Sequence, residues 1–262
     1  MSFFRKILIT LWRVWFYILI AVPIIVMFPF LLLFTSKEKY YPQFFFLARV
    51  WAKIILYGMG FYPIVKKLET PQKGKSYMFV ANHTSMTDIM LMLSIVKNPF
   101  VFVGKKELVK IPLFGYLYKR AAIMVDRSSS KSRFGVYGRA EKVLEKGYSV
   151  CIFPEKNYLD ETILLNPFKQ GAFKIAVAHK FPIVPMVFFD CKRKSPWYTT
   201  HGFPGKLRIG VYSSISTDGM KEHDIPYLQT KIYDLIDSQL RQDPEQSALN
   251  AITVWKRINK IS

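Results

Sequence analysis

The stretch YMFVANHTSMTDIML, Tyr77–Leu91, decides how the chain is read. An apolar run ends in Ala81-Asn82-His83, a polar turn follows, and a second apolar run begins after Asp88. The first run reads as a buried strand over Tyr77–Ala81 and the second as a helix over Met86–Val96. Strand, tight turn and helix form the unit from which an α/β sheet domain is built. Ser85-Met86-Thr87-Asp88 fits the S-x-x-D form of a capping box, in which Ser85 starts the helix and Asp88 answers it. The same spacing places His83 in the turn and Asp88 in the first helical turn, where the ring can swing back to the carboxylate. On one continuous helix the two would diverge by about 140°. A carboxylate on one ring nitrogen fixes the tautomer and leaves general-base chemistry to the other. A capped helix and a catalytic pair both fit these residues.

Downstream, short apolar runs alternate with helical patterns. The expected strands are Phe100–Gly104, Ala122–Val125, Ser149–Phe153, Ile183–Phe189 and Leu207–Tyr212. The expected helices are Lys131–Lys146, Ala172–His179 and Tyr227–Arg241. This alternation predicts an α/β domain. Upstream, the turn-rich connector ETPQKGKS separates the domain from a different texture.

From Val14 to Ser36 there is no charged residue. That length can cross a hydrocarbon core of about 30 Å as a helix. Pro23 and Pro29 predict a kink or break, so spanning and dipping back both remain open. The apolar run is too long for a signal peptide and is followed by no small-x-small cleavage site. A second segment, Phe44–Ile64, carries Arg49 and Lys53 four residues apart on an otherwise apolar, aromatic helix, a pattern suited to the bilayer interface. The expected organisation is therefore a membrane-anchoring pair of helices in 1–68, an α/β domain in 69–241 and a polar tail in 242–262.

Hydrophobic residues make up 51% of the 262 and aromatics 16%, enough for a sizeable core rather than a disordered chain. Lys and Arg number 38 against 18 Asp and Glu, a formal charge of +20. Nucleic acid, an anionic bilayer and acidic small molecules all fit that excess. The apolar N-terminus favours the bilayer, and no nucleic-acid-binding fingerprint is present. Cys151 and Cys191 both fall in strand-like runs and read as buried thiols. His83, His179, His201 and His223 have no cysteine or second histidine at ligand spacing, so no metal site is expected.

After the His83 stretch come GKKELVKIPLFG (104–115), AIMVDR (122–127), VCIFPEK (150–156), NPFKQGAFKIAVAH (166–179) and FPIVPMVFFD (181–190), in that order. Together with NHTSMTD they resemble the 1-acylglycerol-3-phosphate (lysophosphatidic acid) acyltransferases. The resemblance covers about Tyr77 to Asp190 and more weakly extends to Arg241. It implies a mixed central sheet flanked by helices, with an N-terminal two-helix membrane-anchoring motif. His83 resembles the family's general base and Asp88 its orienting carboxylate. The lipid's free hydroxyl would attack an acyl thioester carried by acyl-CoA or acyl-carrier protein, with no covalent acyl-enzyme and no cofactor. Asn82 sits beside the base and is expected to hold the turn or the substrate. Arg127 resembles the second motif's phosphate contact, as a guanidinium donating two parallel bonds. Lys105, at a strand end, is a further phosphate candidate, and PIVP resembles a structural fourth motif.

The third motif departs from the family pattern. Phe-Pro-Glu-Gly-Thr-Arg-Ser is replaced by Phe153-Pro154-Glu155-Lys156-Asn157-Tyr158-Leu159. The arginine is gone. Lys156 and Lys169 could supply the charge as point cations, with Glu155 orienting them or the acceptor's glycerol. The departure bears on the acceptor: another lysophospholipid or a lyso-aminolipid is the alternative. A non-catalytic membrane scaffold and a lipid hydrolase are the alternatives from other classes. The resemblance also implies a membrane location with the domain on the cytoplasmic face.

Overall fold

The computed structural model describes residues 3–125, 130–156, 159–198 and 200–260; for Lys105, residues 130–134 and Leu144 it describes the backbone alone. Seven strands form one sheet: β1 (Phe61–Lys67), β2 (Met78–Ala81), β3 (Phe100–Lys105), β4 (Ala122–Val125), β5 (Ser149–Ile152), β6 (Ile183–Phe188) and β7 (Gly205–Val211). Their order is β1-β7-β6-β2-β5-β3-β4, with every pair parallel except β6–β7. This is the mixed sheet that the resemblance implied. β2, β5 and β6 are buried at every residue, as sheet-centre strands covered on both faces must be.

The helices are α1 (Phe3–Thr35), α2 (Tyr41–Gly58), α3 (Thr87–Ile95), α4 (Phe114–Ala121), α5 (Ser130–Glu145), α6 (Gly171–Ala178), α7 (Cys191–Lys194), α8 (Ile225–Arg241) and α9 (Ser247–Asn259). The six expected strands and four expected helices form within a residue or two of their expected ends.

One expected element is corrected. The helix read over Phe44–Ile64 stops at Gly58, because Gly60 turns the chain at a φ of +75°. Phe61–Lys67 then pairs with β7 as an edge strand, from Phe61 opposite Gly205 to Lys67 opposite Val211. Local apolar texture favours helix there, and the open edge of β7 outweighs it. Within the expected polar tail, 242–262, the chain forms α9. Tyr198 packs on its Trp255 with ring centroids 4.5 Å apart.

The turn before α9 is fixed by Arg208 on β7. Its guanidinium donates to Asp190 at 2.7 Å and 3.0 Å and to Asp243 at 2.6 Å and 2.9 Å. Both carboxylates are buried. Removing the cation leaves them without their counter-charge, so Arg208→Met should cost about 3 kcal/mol or more in urea unfolding at neutral pH. A loss below about 1 kcal/mol would mean that water already screens the pair.

α1 and α2 form an antiparallel hairpin. Trp15 donates to the Gly58 carbonyl at 2.9 Å and Trp51 to the Ile20 carbonyl at 3.0 Å. A side chain at Gly58 would collide with Leu19, so the glycine sets how closely the helices approach. α2 belongs to the domain core: Ala52, Ile55 and Leu56 are fully buried. α1 runs on the outside, where Leu11, Tyr17, Ile25, Val26, Phe30 and Leu33 are exposed. Among the described residues it is the one helix long and apolar enough to cross a membrane.

Candidate active site

β2, β3, β4 and β5 run parallel, and their C-terminal ends form one edge of the sheet. Residues following such ends face a common crevice in open α/β sheets. His83 follows β2, Lys105 ends β3, β4 ends two residues before Arg127, and Phe153-Pro154-Glu155 follows β5. Motifs far apart in sequence thus converge at one edge. Arg127 lies outside the described residues, as does the side chain of Lys105.

The His83 turn is built around one oxygen. Asp88 Oδ2 accepts the Thr84 N–H at 2.6 Å, the Ser85 N–H at 2.8 Å and His83 Nδ1 at 3.1 Å. Asp88 is fully buried in the first turn of α3, where the helix N-terminus also favours negative charge. The Ser85 hydroxyl accepts the Thr87 N–H at 3.1 Å, but Met86 rather than Ser85 takes the N-cap position of α3, with no side-chain cap. The carboxylate that organises the turn also holds the imidazole. With Nδ1 donating to Asp88, base chemistry falls to Nε2.

The imidazole is held on two further sides. Phe153 stacks on it, with centroids 4.3 Å apart and planes 16° from parallel. Trp197 meets it edge-on at 5.3 Å and 88°. The side chain keeps 12% exposure, enough to be reached by a substrate. The contact with Phe153 was readable only as proximity to Glu155. The contact with Trp197 carried no sequence signal.

Asn82 is 1% exposed and spends its amide on one partner: Nδ2 donates to the Phe188 carbonyl at 3.0 Å, and Oδ1 accepts the Phe188 N–H at 2.8 Å. It stitches the end of β2 to β6. Both polar atoms of its amide are thus engaged inside the sheet, next to the His83 turn.

Glu155 differs from expectation. It is 2% exposed and faces inward rather than orienting surface cations. Oε1 accepts the His83 N–H at 2.6 Å, while Oε2 accepts the Asn166 N–H at 2.9 Å and its side-chain amide at 3.2 Å. Burial raises its pKa despite the lowering effect of these donors.

An antiparallel bridge pairs Glu155 with Phe168. The Lys156 N–H donates to the Pro167 carbonyl and the Lys169 N–H to the Pro154 carbonyl. The two-residue period of extended chain turns Glu155 and Phe168 inward and leaves Lys156 and Lys169 exposed on the other side. The two lysines are thus brought onto one bridge beside the His83 turn.

Cys151 and Cys191 are buried thiols whose pKa burial pushes well up. Neither serves as an exposed nucleophile. No cluster of three or more His, Cys, Asp or Glu that could hold a metal occurs among the described residues.

A family model described as "Acyltransferase" matches residues 63–189. A 1-acyl-sn-glycerol-3-phosphate acyltransferase of Cocos nucifera is 32% identical over 160 residues, covering 60% of this chain and 52% of its own. The human enzyme named 1-acyl-sn-glycerol-3-phosphate acyltransferase beta is 29% identical over 180 residues, covering 66% of this chain and 62% of its own. The chain spans about half the length of the first curated relatives it matches. In fold it is similar to the crystal structure of the 1-acyl-sn-glycerophosphate acyltransferase PlsC from Thermotoga maritima. That match has a TM-score of 0.76 and 22% identity, over 91% of this chain and 97% of the other. The segment matched by the family model contains the whole His83–Asp88 turn and Glu155.

Proposed function

We propose that the protein transfers an acyl chain from a thioester donor to the free hydroxyl of lysophosphatidic acid, giving phosphatidic acid. The observation that carries this reading is the His83 Nδ1–Asp88 Oδ2 pair at 3.1 Å, set just past the C-terminal end of β2 with no exposed cysteine beside it. His83 Nε2 takes the acceptor's hydroxyl proton as its oxygen attacks the thioester carbonyl. The new C–O bond forms, the C–S bond breaks, and the leaving thiolate takes the proton from the imidazolium. Asp88 stabilises that imidazolium and keeps the ring in the required tautomer.

Lys156 and Lys169 are the proposed contacts for the acceptor phosphate, joined by Lys105 at the end of β3 and by Arg127, which lies outside the described residues. The donor is acyl-CoA or acyl-carrier protein. The domain rests on the cytoplasmic face of a bilayer with the exposed side of α1 immersed. Two features support this placement: the apolar outer face of α1 and the +20 charge, which suits an anionic surface. Because α1 packs along a core helix, dipping into one leaflet fits better than crossing it.

The test is transfer from labelled acyl-CoA to a panel of lysolipids by the purified chain. Lysophosphatidic acid should be acylated at least about tenfold faster than acceptors lacking the phosphate monoester. Faster acylation of another lysolipid would reassign the acceptor. Sustained fatty acid release without acceptor would indicate a hydrolase.

A further inference from the structure

The stretch from Ser195 to Phe203, described except at position 199, lies between α1 and the His83 turn and touches both. On one side, the Ser85 hydroxyl donates to the Ser195 carbonyl, and Thr87 Oγ1 donates to Ser195 Oγ at 2.8 Å. Trp197 sets its ring against that of His83. The Trp197 N–H is held by Glu161 at 3.1 Å, and Glu161 is paired with Lys192 at 3.3 Å, both side chains being 5% exposed or less. Trp197 is thus fixed from behind by a buried ion pair.

On the other side, Arg13 reaches out of α1. Its Nη2 donates to the carbonyls of Pro196, Tyr198 and His201, at 3.1 Å and 3.2 Å for the first two. Trp12, its neighbour, donates to the Met59 carbonyl and packs edge-on against Phe61. The fit is close. A side chain at Gly202, where φ is +137°, would come within 2.8 Å of Trp12 and 3.1 Å of Arg13. Three carbonyls converging on one guanidinium nitrogen use donor capacity that an anchoring helix does not need for the bilayer. Arg5, Lys6 and Arg13 precede the apolar run together, yet Arg13 is the one with these carbonyl contacts among those described.

We propose that Arg13 is a positioning residue: it links the bilayer-facing helix to the catalytic base through the Ser195–Phe203 stretch and Trp197. This rests on the reading of His83 as the base. When α1 is seated, the stretch is held and Trp197 confines the imidazole to its productive orientation. When Arg13 is removed, the ring gains freedom while the crevice and the exposed lysines are unchanged.

The experiment compares wild type, Arg13→Met, Arg13→Lys and Lys6→Ala as purified full chains on vesicles of phosphatidylcholine with an anionic phospholipid. Arg13→Met should lower kcat by about tenfold with KM for lysophosphatidic acid changed less than about twofold. Vesicle co-sedimentation should stay at the wild-type level. Amide exchange should quicken in the peptides carrying Trp197 and His83. Arg13→Lys, whose ammonium keeps three donors, should recover most of the rate, and Lys6→Ala should match wild type.

Unchanged kcat and exchange in Arg13→Met would overturn the proposal, as would a loss that only tracks the vesicle-bound fraction. If Arg13→Met does not fold, Trp197→Phe and Trp197→Leu decide. Retained kcat with Phe and a loss with Leu at constant KM support the link, and equal rates in both overturn it. The exchange readout needs no turnover, so a wild type that transfers no acyl chain would sink the proposed activity while leaving this coupling separately measurable.

Discussion

His83→Ala should reduce transfer by about 10²–10⁴-fold in kcat, the usual contribution of a positioned general base. KM for the lysolipid should move little, because the proposed phosphate contacts among the described residues lie on the Glu155–Phe168 bridge and at the end of β3, not on the imidazole. Asp88→Asn should fall in the same range, for a different reason. Its amide can still accept from the Thr84 and Ser85 N–H groups that Oδ2 now serves, but it cannot stabilise an imidazolium. Because Asp88 also builds the turn, Asp88→Ala should add a stability loss of about 2–4 kcal/mol, seen in urea unfolding. Single-turnover transfer by both variants at wild-type rate would remove the catalytic assignment. A non-catalytic scaffold with the family's fold would then be the better description.

The second large effect belongs to Glu155. Truncation to Ala takes away the acceptor for the His83 and Asn166 N–H groups, both in buried or half-buried surroundings. About 2–5 kcal/mol of stability should go with them. The His83 backbone should also shift, lowering kcat by about 10²-fold, since displacement of a base by an ångström costs that much. The pH dependence has a definite sign. Burial, the largest cause, raises the folded carboxyl above its ordinary value of 4.5, against the lowering effect of its donors. The folded chain then holds this proton more tightly than the unfolded chain. The contribution is therefore fully present below the ordinary value and is lost as pH rises through the raised one. Relative to Glu155→Gln, which does not titrate, wild-type stability should decline across that window. Parallel urea-unfolding profiles of the two proteins against pH would show that the carboxyl is not shifted.

Glu155 also marks where reading the sequence alone goes astray. Beside Lys156, in a loop after a strand, it is naturally taken as an acid orienting surface cations. That inference depends on which way the loop faces. A two-residue bridge to Phe168 sets the facing, and that bridge forms only once the chain has returned thirteen residues later. The Asn82 amide is consumed by Phe188, which no local pattern could indicate.

What the sequence determined by itself was local. Apolar periodicity placed strands and helices, and the spacing from His83 to Asp88 let the carboxylate in the first turn of α3 meet the ring in the turn before it, because both are short-range events. The order of the motifs carries the resemblance to the acyltransferases whose family model matches residues 63–189. What the tertiary structure decided was non-local. β7 turned Phe61–Lys67 from helix to strand by offering an open edge, and the bridge to Phe168 turned Glu155 inward beneath the His83 backbone. Folding then brought Arg13, Trp197 and His83, far apart in the chain, into one connected set of contacts. Such contacts follow from which surfaces meet after the sheet assembles, and side-chain spacing along the chain carries no record of that.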